Sequence, residues 1–323
     1  VVPFQGGYDG DNPANPKLSA DNIVATNTQG FDISSTSATG YTAYKKGINA
    51  ISNPDEFDIN LLVTPGIIHE YHNSVTNHGV SKVEARADAF YIMDGSRWGR
   101  SVANALSDIN TLDTNYAATY YPWVKIRDRN TNLPVWVPPS VVLAGTIAFT
   151  DRVAHEWFAP AGLNRGGLSS VRMAKKKLTH TDRDTLYEGR VNPIATFPGQ
   201  GVVVFGQKTL NPTASALDRI NVARLINYIR YQLDIAVKPF LFEPNDAITR
   251  QNAKNVVDGL LDNLVIQRGL FDFVTVCDSS NNTPARIDRN ELYIDIAIQP
   301  VKAVEFIYIP IRIQNTLGST GSS

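Results

Sequence analysis

Residues 247–268 read as one amphipathic helix, and the chain around them has to cover the face this helix must bury. Apolar side chains recur at Ala253, Val256, Val257, Leu260, Leu261, Leu264 and Val265, the spacing of a single helical stripe. Pro244-Asn245-Asp246 ahead of it is N-cap chemistry, and Gly269 behind it is a stop signal. A second stripe, at Val222, Leu225, Ile226, Ile229 and Leu233, marks Leu217 to Val237 as a helix of the same kind. Three strand-like runs follow: Phe271 to Cys277, Leu292 to Ile298 and Val304 to Ile313. Asp-Ser-Ser-Asn-Asn-Thr-Pro and Gln-Pro between them are turn chemistry. The last third therefore predicts a small α/β unit.

The preceding residues predict a larger one. Residues 1–55 are rich in Gly, Asn, Asp, Ser and Pro and read as loop, with one short helix between Tyr41 and Ala50. Phe57 to Val63 is a short apolar run ended by Thr64-Pro65-Gly66, a buried strand. A helix over residues 67–79, stopped at Gly79, separates it from a second buried strand, Ala87 to Met93. Strand, helix and strand in that order predict a parallel pair with a helical crossover. Tyr116 to Val124 and Val202 to Phe205 are further strands. Ser140 is placed to cap a helix over Val141 to Phe149, and Thr179 with Asp182 forms a capping-box pattern opening a helix to Tyr187. The fold class is α/β with a mixed sheet.

A chain of 323 residues, 43% hydrophobic and 19% charged, can bury one large core or two ordinary ones. No run approaches the roughly 18–20 apolar residues of a membrane span, and the N-terminus carries no secretory pattern. It also lacks Met, as expected of a processed or truncated chain. Cys277 is the single cysteine, so an internal disulfide is excluded and a small buried hydrophobe is the expectation. Net charge is −1, with no global attraction to nucleic acid or anionic lipid. The charge is unevenly placed: residues 1–60 carry a net of −4 and residues 165–190 a net of +4. Two solvated faces account for this, or opposite signs orient one copy against the next. Lys175, Lys176 and Lys177 are interface candidates on the second view.

Catalytic chemistry is poorly represented. His69-Glu70-Tyr71-His72 spaces its histidines three apart, where a metalloprotease helix needs four, and only His78 suggests itself as a third ligand. A polar helix surface is the expectation. Asp94-Gly95-Ser96 has the wrong order for a nucleophile elbow, and no nucleophile turn follows the His78-Gly79 pair. Gly199-Gln-Gly-Val-Val-Val-Phe-Gly precedes a strand instead of joining strand to helix, so it reads as a tight turn and not a dinucleotide site. Lys175 to Lys177 have no interleaved aromatics, which argues against nucleic acid. No catalytic residue, metal or cofactor is expected.

A series of short motifs in fixed order resembles contractile-tail sheath proteins, the family of phage tails, contractile bacteriocins and type VI secretion. They are Tyr120-Tyr121-Pro122-Trp123, Val137-Pro138-Pro139-Ser140, Thr150-Asp151-Arg152, Trp157, Val191-Asn192-Pro193-Ile194 and Gly199 to Gly206, then Asn221-Val222-Ala223-Arg224, Phe242-Glu243-Pro244-Asn245-Asp246, Asp278, Asn282-Thr283 and Val304-Glu305-Phe306-Ile307. The resemblance implies a subtilisin-like core that is not a protease, over residues 56–197, and a smaller C-terminal sheath domain over residues 198–314. Residues 1–55 would lead into the core, and 315–323 form a disordered tail. It implies a virion protein that forms stacked hexameric rings around an inner tail tube, with baseplate and tail terminator proteins as further partners and with no nucleic acid or membrane insertion. The family's N-terminal arm and first domain would be expected before Val1, so the resemblance implies a fragment.

Exchange of terminal strands ties such subunits together. The candidate here is Val304 to Ile313, with Phe306, Tyr308, Ile311 and Ile313 as interface residues. Pro310 cannot donate to a ladder and marks an edge strand, and a long apolar edge is a liability unless another chain pairs with it. An edge covered by its own domain remains the plain alternative. At the level of function, a nonpolymerising virion binding module and a subtilisin-like hydrolase are the alternatives to a sheath subunit.

Overall fold

The computed structural model of the protein describes residues 33, 35–129 and 132–308. The N-terminal acidic stretch therefore lies largely outside the described residues. Helix α1 (Thr39–Ala50) leads to β1 (Leu61–Ile68), α2 (His69–Arg86) and β2 (Phe90–Asp94). β1 and β2 are parallel neighbours with Leu61 opposite Phe90, so the predicted crossover unit is present. After α3 (Val102–Ile109), β3 (Ala117–Tyr121) adds parallel to β2. The chain then leaves the sheet at the cis Tyr121–Pro122 bond. It builds a side sheet from β4 (Val124–Arg127), β5 (Pro134–Val137) and, after α4 (Ser140–Val153), β6 (Val171–Ala174), in the order β5-β4-β6. Helix α5 (His180–Glu188) returns it to β7 (Val191–Phe197), parallel to β3, and β8 (Gly201–Val204) closes the five-stranded sheet antiparallel to β7.

This sheet is covered on both faces, as parallel sheets are. Alternation along β2 shows it: Phe90 and Ile92 join Leu143 and Ile147 of α4, while Tyr91 and Met93 join Val83 of α2 and Ile109 of α3. The second unit is α6 (Ile220–Val237), α7 (Ala247–Ile266) and an antiparallel ribbon of β9 (Leu270–Val276) and β10 (Asp295–Pro300), with a one-turn α8 (Pro284–Ile287) in the loop between the strands. Helix α6 belongs to both cores. Its Ile220 and Ala223 pack in the first, and its Leu225 and Ile229 meet Val257, Leu261 and Leu264 of α7 in the second.

Two of the capping signals held. Thr179 and Asp182 form both hydrogen bonds of a capping box, and the Asp246 carboxylate accepts from the Thr249 N–H at 2.8 Å. Cys277 is buried. Four expectations are corrected. The helix does not stop at Gly79 but runs on to Arg86; a Cβ at residue 79 would lie 3.1 Å from the Tyr91 ring, so glycine lets α2 approach the sheet. The first strand does not end at Thr64-Pro65-Gly66, which instead sits in a register shift within β1. The Ser140 hydroxyl is not a helix cap: it donates to Asp94, and Pro139 holds the N-cap position. Residues 304–308 form no strand.

Candidate functional site

The segment after β10 leaves the ribbon and crosses to the first unit. The Val301 N–H donates to the Gly269 carbonyl at 3.0 Å. Glu305 is then seized by three elements at once. Arg219, at the N-cap of α6, donates from Nε and Nη2 to both carboxylate oxygens at 2.6 and 2.9 Å. The Tyr187 hydroxyl of α5 donates at 2.8 Å, and the Gln207 amide, just past β8, at 3.1 Å. Burial pushes the Glu305 carboxyl up, but these hydrogen bonds outweigh it and hold the group below the usual glutamate range. A bidentate Arg–carboxylate pair with further donors is the strong form of such a contact.

Little else holds this segment. Val304 is 80% exposed, Phe306 68% and Tyr308 88%. A cavity of about 630 Å³ lies between residues 302–306 and 214–222. Another of about 210 Å³ lies towards Ala159, Pro193 and Phe205. The buried acceptors Asn221 Oδ1 and Gln207 Oε1 have no partner among the described residues. Of the four apolar interface candidates, Phe306 and Tyr308 are thus solvent-facing, and Ile311 and Ile313 lie outside the described residues. Sequence reasoning missed Arg219, Tyr187 and Gln207. The signal was Glu305 itself, since a carboxylate inside an apolar β-rich run needs a partner.

The ribbon is the second feature that faces outward. Leu270, Phe273, Ile296 and Ile298 pack against α6 and α7, whereas Phe271 and Val274 are 64% and 58% exposed. Neither edge of the ribbon has a strand partner among the described residues. Its long connecting loop is pinned by the motif asparagines. The Asn282 amide donates to the Asp278 and Tyr293 carbonyls and its oxygen accepts from the Tyr293 N–H, while Arg286 lies 3.7 Å over the Tyr293 ring.

The three lysines are exposed but not equivalent. Lys175 Nζ sits 4.4 Å over Trp98 and 5.6 Å over Trp136. Lys176 pairs with Asp182 at 3.2 Å. Reversing charge is therefore expected to cost about 1–2 kcal/mol of stability at Lys175, where a cation–π contact is lost, at most about 1 kcal/mol at Lys176, and nothing measurable at Lys177. Thermal unfolding of the three single variants checks the order. A defect in association with unchanged unfolding, at Lys177→Glu above all, identifies a contact with another copy.

The histidine motif is a correction. His69 and His72 are both buried, not on a polar surface: His69 Nδ1 is 2.7 Å from Thr76 Oγ1, and His72 Nδ1 accepts from the Ile68 N–H at 3.1 Å. His78 Nε2 is 2.9 Å from Asn49 Oδ1. Asp94 is buried and accepts from both the N–H and hydroxyl of Ser140, at 3.0 and 2.6 Å, and burial pushes its carboxyl up to about 7. His72 and Asp94 tie the ends of β1 and β2 to the starts of α2 and α4, and His78 links α2 to the last turn of α1. Among the described residues no cluster of three His, Cys, Asp or Glu side chains could hold a metal ion, and no helix is long and apolar enough to cross a membrane. The glycine-rich turn behaves as expected: Gly199 and Gly201 take φ of +74° and +79° where β7 folds back into β8.

A family model described as the phage tail sheath protein central domain matches residues 37–210. A second, described as the phage tail sheath C-terminal domain, matches residues 213–314. The tail sheath protein of Vibrio phage KVP40 is 41% identical over 212 residues, covering 65% of this chain and 31% of the relative. That of Enterobacteria phage T4 is 33% identical over 260 residues, covering 74% of this chain and 39% of the relative. The chain thus spans about a third of the length of the curated relatives it matches. Among solved structures, the PVC sheath complex of an extracellular contractile injection system in its contracted state aligns with a TM-score of 0.69 at 23% identity, covering 84% of this chain and 75% of that one. The helical sheath of the anti-feeding prophage, also contracted, aligns at 0.65 and 22% identity, covering 85% and 74%. At that identity the likeness is one of fold.

Proposed function

Because the chain belongs to the phage tail sheath family, we propose that it is the part of a contractile tail sheath subunit through which copies join into a helical tube. The observation that carries this reading is the ribbon β9–β10, with no strand partner on either edge among the described residues and with Phe271 and Val274 exposed, and a loosely packed segment leaving beside it. A two-stranded sheet is marginal by itself and gains most from strands added at its edges. The assembled relatives, a helical sheath and a baseplate among them, support the same view. In this proposal the subunits form stacked six-membered rings around an inner tail tube in the virion, meeting baseplate and terminator proteins at the two ends. Contraction re-docks rigid units between two discrete arrangements while the strand links persist. Membership of a structural family points to a mechanical and not a catalytic role.

We place the division between the two units at about residues 211–212, where one family match gives way to the other, because β8 still pairs with β7 in the first sheet. The experiment is truncation of the complete protein after Ala303. Loss of tubes by electron microscopy, with the rest of the chain still folded, is the expected result; tubes of normal length would remove the terminal segment from assembly.

A further inference from the structure

Resting on that reading, we propose that Glu305 is a positioning residue, the fixed root from which the C-terminal segment of each subunit leaves its own body. The Glu305 contact is one point, and it spans the two units of one chain. Residues 301–305 run from the ribbon of the second unit to α5 and the end of β8 in the first, with Arg219 at the junction between them. Two of the three donors are themselves held. Arg219 is held by a backbone bridge to Lys208 and by an ion pair from Nη1 to Asp218 at 3.0 Å. The Tyr187 ring lies under the Lys208 ammonium at 4.7 Å. Between Val301, held to the Gly269 carbonyl, and Glu305 the segment borders cavities and solvent, and residues 306–308 beyond Glu305 are exposed. A chain gripped at Glu305 and exposed beyond it turns there, so Glu305 sets where the following residues start and leaves their direction open. The contact also ties the second unit to the first within each subunit, so a rearrangement of copies moves both units together.

Two measurements test this. Trypsin and chymotrypsin sites at Lys302 and Phe306 flank the anchor, and cutting there requires the segment to lift off. Glu305→Gln keeps the shape and removes the charge. It is expected to speed cleavage at both sites about ten-fold or more, with the unfolding temperature of the remainder unchanged. Cleavage at the unsubstituted rate overturns the proposal. In the complete protein, Glu305→Arg and Arg219→Glu are each expected to prevent sheath formation, and the two changes in one chain to restore it. A mixture of the two singly substituted proteins is expected to stay unassembled, because the mismatch persists inside every chain. Restoration by the mixture would mean that the carboxylate docks on another copy, and the fixed root falls. If the unsubstituted complete protein forms no sheath, the function proposed above fails, while the cleavage ratio still decides this inference.

Discussion

Asp151→Ala is expected to lower the unfolding free energy by about 3–5 kcal/mol, among the largest effects available to a single change outside the hydrophobic core. Arg224, on α6, is 2% exposed and donates from Nη1 and Nη2 to both oxygens of Asp151 at 2.7 Å each. The pair locks α6 to the end of α4, and α6 is shared between the two cores, so both units depend on it. A guanidinium cannot shed its charge at any ordinary pH. Without Asp151 its nearest carboxylate is Glu156, 3.7 Å away and itself pushed upward by burial. The reverse change is expected to be milder. Asp151 is 18% exposed and can take water when Arg224→Met removes its partner, for a cost of roughly 2 kcal/mol. Thermal unfolding of both variants checks the asymmetry: a fall on the order of 10 °C for Asp151→Ala and about half that for Arg224→Met. Equal or inverted shifts would mean that desolvation of Arg224 does not govern this site.

The residues of that pair were visible in the sequence as separate motifs, but their pairing was not, because it joins positions 73 apart through the packing of two helices. What was legible had a local cause. Helix α7 announced itself by its stripe and by Asp246, and the capping box by Thr179 with Asp182, because those signals involve residues within one or two turns. Gly79 misled for a related reason. Glycine is a weak helix former taken alone, and only the Tyr91 ring on a neighbouring strand explains why α2 keeps it. His69 and His72 offered ligand chemistry by spacing, yet their partners are Thr76 and a backbone N–H of the same helix start. Val304 to Tyr308 has strand composition without strand structure, since β propensity is realised only against a neighbour and no strand pairs with it among the described residues. The candidate site was thus half legible. Composition pointed to the terminal segment, but only the fold revealed that Glu305 holds it and that the ribbon beside it is open.

Phe271→Asp combined with Val274→Lys is expected to abolish sheath formation while leaving the isolated subunit as stable as before. Val274, opposite Ala297, projects on the face turned away from α6 and α7, and Phe271, at the register shift between Leu270 and Asp272, is exposed as well. Exposed positions of this kind change folding stability by roughly 0.5 kcal/mol or less. A strand added at the free edge of β9 would place its own side chains beside these two, and cross-strand neighbours on one face are the unit of sheet stability. Replacing two apolar contacts with charges removes about 1.5–3 kcal/mol for each side chain that would have been buried. At about 1.4 kcal/mol per factor of ten, every junction between copies weakens by at least a hundred-fold. A helical tube repeats that junction in each subunit, so the loss appears as absence of tubes and not as shorter ones. Electron microscopy of the complete protein, paired with thermal unfolding of this chain, separates the two effects. Tubes of ordinary length at ordinary concentration would show that these exposed β9 side chains are not where copies meet, and strand addition at the free edge of β9 would have to be abandoned.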